Sequence, residues 1–140
     1  MKLYLDTSAI VKLYVPEAGR DDVRRAIDSC DEVGTSAIAY AELRAATARA
    51  VRGGRLGATA GQKLAKSIDA DWAGFTTVRL TDALIQRAGQ LAEEHGLRGY
   101  DAVHLACALR LRARLREEVV FGCYDDELNA AARAEGFITL

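Results

Sequence analysis

KLYLDTSAIVKLYV, residues 2–15, reads as two elements joined at one acidic residue. KLYL (2–5) is a short apolar run with β-forming residues, and Asp6 stands where that strand ends. TSAIVKLYV (7–15) has helical character and must stop before Pro16, the only proline in the chain. The same strand-then-helix alternation continues outward. DEVGTS (31–36), TTVRL (76–80), EVVFGCY (118–124) and GFITL (136–140) read as further strands. Helices are expected at 19–30, 37–52, 58–73, 82–95, 100–116 and 126–134. Acidic residues in the first turn favour the start at 19–30, and alanine richness favours 37–52, which ends at Gly53-Gly54. Alternation of this kind predicts an α/β fold of three layers, α/β/α, around a central, mostly parallel sheet of four to five strands. Ligands of such sheets bind beyond the carboxyl ends of the strands.

The bulk properties fit one domain spanning residues 1–140. Half the residues are hydrophobic, enough for a core without disulfides or a structural metal. The 19 basic and 20 acidic side chains leave a formal charge of -1, so bulk charge does not hold nucleic acid here. Binding nucleic acid would require an acidic pocket separated from a basic rim. Cys30, Cys107 and Cys123 are odd in number and share no short spacing, and the only histidines are His95 and His104. That excludes a conventional zinc site and points to reduced thiols in a cytoplasmic protein. No stretch resembles a signal peptide or a membrane helix.

Four acidic residues stand out. Asp6 follows the first strand, where it can cap a helix, bind a ligand, or both. Glu42 lies on a largely apolar helical face: its neighbours one turn away are Ile38, Ala39, Ala45 and Ala46. A carboxylate there has no charge partner at helical spacing and needs a metal, a distant partner or water. Asp101 opens the helix 100–116, where the helix dipole alone would explain it. Asp125 follows the fourth strand as Asp6 follows the first; Asp126 is the competing choice, and position favours Asp125. Carboxylates gathered at one edge stay ionised side by side only with a cation, and hard divalent ions suit them.

LYLDTSAIVKLYVPE (3–17), TSAIAYAELRAA (35–46), LRGYDAVHLACAL (97–109) and FGCYDDELNAAARAEGF (121–137) together resemble the sequence blocks of PIN-domain ribonucleases, more narrowly VapC-type toxins of toxin–antitoxin pairs. The resemblance implies a metal-dependent endoribonuclease in which Asp6, Glu42, Asp101 and Asp125 hold Mg²⁺ or Mn²⁺ and activate water against the RNA phosphodiester. It also implies a homodimer and a cognate antitoxin. Family members commonly carry Thr or Ser where Cys123 stands, and a thiol is the weaker donor. Thr7 or Ser8 is expected to supply a hydroxyl near Asp6.

The remaining motifs read more plainly. His104 is expected to be a packed or capping residue and His95 a helix C-terminal one. Arg44, Arg49, Arg52, Arg55, Lys63 and Lys66 form either an RNA path or a solvated helical face. Arg110, Arg112, Arg114 and Arg116 are expected at the surface. The helices near 19–30 and 58–73 are rich enough in apolar residues to serve an interface. Two alternatives stand beside the nuclease: a haloacid-dehalogenase-like phosphatase and a non-catalytic binding module. The first wants a second Asp where Ser8 stands and a lysine before the last acidic pair, which is missing.

Overall fold

A computed structural model describes all of residues 1–140. Five strands form one sheet: β1 Lys2–Leu5, β2 Glu32–Ser36, β3 Thr76–Val78, β4 Val119–Gly122 and β5 Ile138–Thr139. Their order is β3-β2-β1-β4-β5, and every pairing is parallel. The helices are α1 Thr7–Ile10, α2 Arg20–Asp28, α3 Ala39–Arg52, α4 Ala58–Trp72, α5 Asp82–His95, α6 Gly99–Leu115 and α7 Asp126–Ala134. The α/β reading of the sequence holds.

Alternation along the strands divides the core in two, because successive side chains point to opposite sheet faces. Leu3 and Leu5 of β1 and Val120 of β4 join Ile10, Val23, Leu43 and Ile68 under α1 to α4. Tyr4, Val119 and Phe121 face the other way and pack with Leu91, Leu105, Leu111 and Leu128 from α5, α6 and α7. The most deeply embedded helix is α6, with Ala102 through Ala108 and Leu111 all buried. It lies close to the sheet at Gly34, where an added Cβ would collide with Leu111 Cδ2. No helix is long and apolar enough to cross a membrane.

Several expected boundaries shift for local reasons. The helix expected over 7–15 is α1 followed by a 3-10 turn, Val11–Leu13, with Tyr14 N–H bonded to the Val11 carbonyl. The residue before a proline is pushed out of the helical region, so the segment tightens and stops short of Pro16. The strand expected over 76–80 ends at Val78, because Thr81 already caps α5 by accepting from Leu84 N–H. The last helical residue of α6 is Leu115; Arg116 takes a left-handed conformation at φ 54° and closes the helix. Arg112 corrects the expectation of an all-surface arginine row. Its guanidinium lies 4.1 Å from the Phe137 ring centroid and donates to the Glu135 carbonyl at 2.9 Å.

Candidate active site

The chain runs β1 to β3 toward one side of the sheet and places β4 and β5 on the other. The switch falls between β1 and β4, whose register pairs Leu5 with Gly122. Asp6 and the segment Cys123–Asp125 therefore leave the sheet side by side, and Asp6 N–H donates to the Gly122 carbonyl at 3.0 Å. This is the crevice where open α/β sheets bind ligands. Because α6 ends just before β4 begins, its first turn, with Asp101, stands at the same edge.

Asp6 is 4% exposed. Its Oδ1 accepts from Ser8 Oγ at 2.6 Å and from Ala9 N–H at 3.0 Å, so the residue caps α1. Burial pushes its carboxyl up to about 6, against the lowering effects of His104, Ser8 and the Ala9 amide; the charge of Asp101 adds a smaller upward push. Ser8 is thus the hydroxyl anticipated near Asp6. Its Oγ also accepts from Tyr124 N–H at 3.0 Å, which ties the end of β4 to α1.

Glu42 has the distant partners that its apolar helix face requires. Its Oε1 accepts from Thr7 Oγ1 at 2.7 Å and lies 2.8 Å from His104 Nε2. Burial alone would raise this carboxyl, yet the hydrogen bonds from His104 and Thr7 outweigh it and hold the group below its ordinary value. His104 is 2% exposed, and its Nδ1 lies 2.8 Å from the hydroxyl of the fully buried Tyr4. The sequence reading of His104 as a packed residue is right about burial and missed its contact with Glu42. The available signal was its position three residues after Asp101, on one helix.

Arg98 bridges the other two acids: Nε lies 3.2 Å from Asp101 Oδ2, and one terminal nitrogen lies 3.5 Å from Asp125 Oδ2. Asp125 Oδ1 caps α7 by accepting from Leu128 N–H at 2.8 Å. Asp126 is exposed in the first turn of α7. Cys123 is buried and its Sγ points at the Asp125 carbonyl at 3.5 Å; burial pushes the thiol up to about 12, so it stays protonated. All three cysteines are free thiols.

A cleft of about 580 Å³ opens beside Glu42, lined by Thr7, Ser8, Ala45, Arg49 and Tyr100 among others. The four carboxylates ring this edge without touching. No three of them bring oxygens within 4.8 Å of one another, whereas Glu94, His95 and Glu135 do. That second group is built on a pair, His95 Nε2 to Glu135 Oε1 at 2.8 Å, which pins the end of α5 to the end of α7. The four acids nonetheless fit a hard cation. Asp6 Oδ2, Glu42 Oε2 and Asp101 Oδ1 accept no hydrogen bond from the protein, and none is a sealed, unpartnered atom. Asp6, Glu42 and Asp101 each spend one oxygen on the protein and leave the other to solvent, whereas Asp125 has one oxygen on Leu128 N–H and the other 3.5 Å from Arg98.

Of the basic residues, Arg44 is engaged with Tyr40 and Asp69, at 2.8 and 3.3 Å. Arg49 lies in the wall of the Glu42 cleft. Arg52, Arg55, Lys63 and Lys66 are exposed.

Residues 3–134 match the family model described as PIN domain. The chain belongs to the PIN-domain family. Within that family it is similar to Ribonuclease VapC49 of Mycobacterium tuberculosis, strain ATCC 25618 / H37Rv. The two are 38% identical over 134 residues, covering 96% of this chain and 91% of the relative. FitAcB of Neisseria gonorrhoeae shares the fold at a TM-score of 0.74 and 20% identity, covering 99% of this chain and 96% of that one. A toxin–antitoxin complex from Klebsiella pneumoniae contains a chain with the same fold. There the TM-score is 0.60 and the identity 17%, with coverage of 86% and 84%. The family match leaves the phosphatase alternative without support.

Proposed function

We propose that this PIN domain is a divalent-cation-dependent endoribonuclease and the toxin of a toxin–antitoxin pair. One observation carries the reading: at the sheet's switch point, Asp6, Glu42 and Asp101 each keep one carboxylate oxygen unspent and in reach of solvent. Asp6, Glu42, Asp101 and Asp125 are the residues that would hold Mg²⁺ or Mn²⁺. When bound, such an ion polarises the scissile phosphate and makes water a competent nucleophile near neutral pH.

The chain's own groups do the positioning. Ser8 and the Ala9 amide aim the free oxygen of Asp6, and Thr7 and His104 do the same for Glu42. Arg98 offsets the charge of Asp101 and Asp125. Arg49 offers a phosphate contact in the cleft wall, where a single-stranded segment of RNA reaches the acids most easily. The likeness to ribonucleases named VapC supports RNA as substrate, and the likeness to a chain of a toxin–antitoxin complex supports an antitoxin partner. A homodimer and a cytoplasmic location complete the proposal.

The test is cleavage of a single-stranded RNA by the purified chain. Cutting is expected with Mg²⁺ or Mn²⁺, and none with a chelator. The products should carry a 5′-phosphate and a 3′-hydroxyl, because water rather than the neighbouring 2′-hydroxyl attacks. Products ending in a 2′,3′-cyclic phosphate would overturn the mechanism. Asp101→Asn is expected to abolish cleavage; metal-dependent cutting that survives it would overturn the site assignment.

A further inference from the structure

Glu42 is held by a chain of groups drawn from three other elements. Tyr4 lies on β1, Thr7 on α1 and His104 on α6, whereas Glu42 itself is on α3. Tyr4 OH meets His104 Nδ1 at 2.8 Å; His104 Nε2 meets Glu42 Oε1 at 2.8 Å and Thr7 Oγ1 at 3.2 Å; Thr7 Oγ1 donates to that same Oε1 at 2.7 Å. Both donors converge on one carboxylate oxygen, and Oε2 is left without a protein partner. Tyr4 is fully buried and His104 nearly so, so the chain is rigid and dry at its inner end.

We propose that Tyr4 and His104 form a positioning relay that locks Glu42 into presenting a single oxygen to a divalent cation. This rests on the nuclease reading above and adds residues to it. An ionised carboxylate only accepts, so the ring nitrogen facing Glu42 must carry a proton. In the neutral ring the other nitrogen then accepts, and the Tyr4 hydroxyl is the donor that fixes this tautomer. His104 thereby donates along a fixed line to Oε1 and stops the carboxylate from rotating about its last torsion, which is otherwise broad. With Oε1 spent on two donors, Glu42 meets a cation through Oε2 alone. Partners of this outer kind set both ligand orientation and metal affinity.

The test pairs binding with folding. Mn²⁺ is titrated into the chain and followed by electron paramagnetic resonance, for wild type, His104→Leu, His104→Gln, Tyr4→Phe and Thr7→Val. Losing the donor in His104→Leu should weaken Mn²⁺ binding about 10–100-fold, the usual cost of an outer-shell loss. The glutamine amide can still donate, so His104→Gln is expected to restore most of it. Tyr4→Phe should weaken binding less than His104→Leu. In wild type, the long-range proton–nitrogen spectrum of the His104 ring should show Nε2 protonated and Nδ1 bare; Tyr4→Phe should mix the tautomers. For cleavage, the loss should fall on kcat at saturating Mn²⁺ more than on KM for RNA.

If His104→Leu does not fold, His104→Gln and Tyr4→Phe carry the test through the tautomer and the Mn²⁺ affinity. A folded His104→Leu that binds Mn²⁺ as wild type does would overturn the relay and leave the nuclease reading intact. So would a Tyr4→Phe chain unchanged in both affinity and tautomer. A wild-type chain that takes up no Mn²⁺ would instead overturn the nuclease reading, and the relay's purpose with it.

Discussion

Asp6→Asn is expected to make the cation-free protein more stable at pH 7, by about 3 kcal/mol, while removing its cleavage activity. The carboxyl is buried, and burial raises it from 3.8 to about 6. A group whose folded-state value lies above its unfolded one holds its proton more tightly when folded. Its contribution is favourable at low pH and is lost as pH rises from about 4 to about 6; at pH 7 the whole penalty is present. About two units, at 1.36 kcal/mol each, gives the figure above. Asparagine keeps the acceptor that Ser8 and the Ala9 amide use and carries no charge, so it escapes the penalty. Urea denaturation in the presence of a chelator should therefore show the two proteins alike near pH 4 and separated at pH 7. Identical pH dependence in both would refute the assignment of Asp6 as a strained acid. Added Mg²⁺ should narrow the gap, because binding to the folded state alone stabilises wild type and not the variant. The activity loss should exceed about 100-fold, the upper end for partners one shell further out. A residue that costs the resting protein stability and is repaid only by its ligand marks a functional position.

What was legible in the sequence was whatever depends on near neighbours. Asp6 and Asp125 are recognisable because each follows an apolar run, and both do cap the next helix. Glu42 is recognisable because its helical neighbours are apolar, so some remote group had to answer for it. Its partner His104 is sixty-two residues away, and no local rule links them. The register of β1 with β4 and the burial of α6 bring them together, and both are products of the whole fold. Arg98 shows the same limit: it precedes α6 in an ordinary loop, and only the switch point sets it between Asp101 and Asp125. Arg112 read as surface because arginines alternate there with apolar residues. The Phe137 ring and the Glu135 carbonyl, from the chain's last turn, give it a half-buried seat. The split of the first helix was closer to visible, since Pro16 restricts the residue before it.

Phe121→Ala is expected to cost about 3–5 kcal/mol, the range for emptying a buried aromatic site. Phe121 is fully buried on β4, paired with Tyr4 of the central strand β1. Its ring stacks on Tyr4 at 5.5 Å and 12°, and it meets Phe137 at 5.7 Å and 47°. Against a total stability of about 5–15 kcal/mol for a domain, that loss lowers the denaturation midpoint sharply, and the slope with denaturant should stay near that of wild type. The more telling result is its reach. The cavity would open against Tyr4, whose hydroxyl holds His104 and through it Glu42, so Mn²⁺ affinity should fall along with stability. Val120→Ala supplies the contrast. Val120 immediately precedes it on the same strand, but points into the core on the opposite face, away from that chain of contacts. It too should lower stability, yet a folded Val120→Ala protein should bind Mn²⁺ as wild type does. If both variants, compared while folded, bound the ion equally well, the aromatic core beneath α6 would be a support for the fold alone and no part of what aims the site.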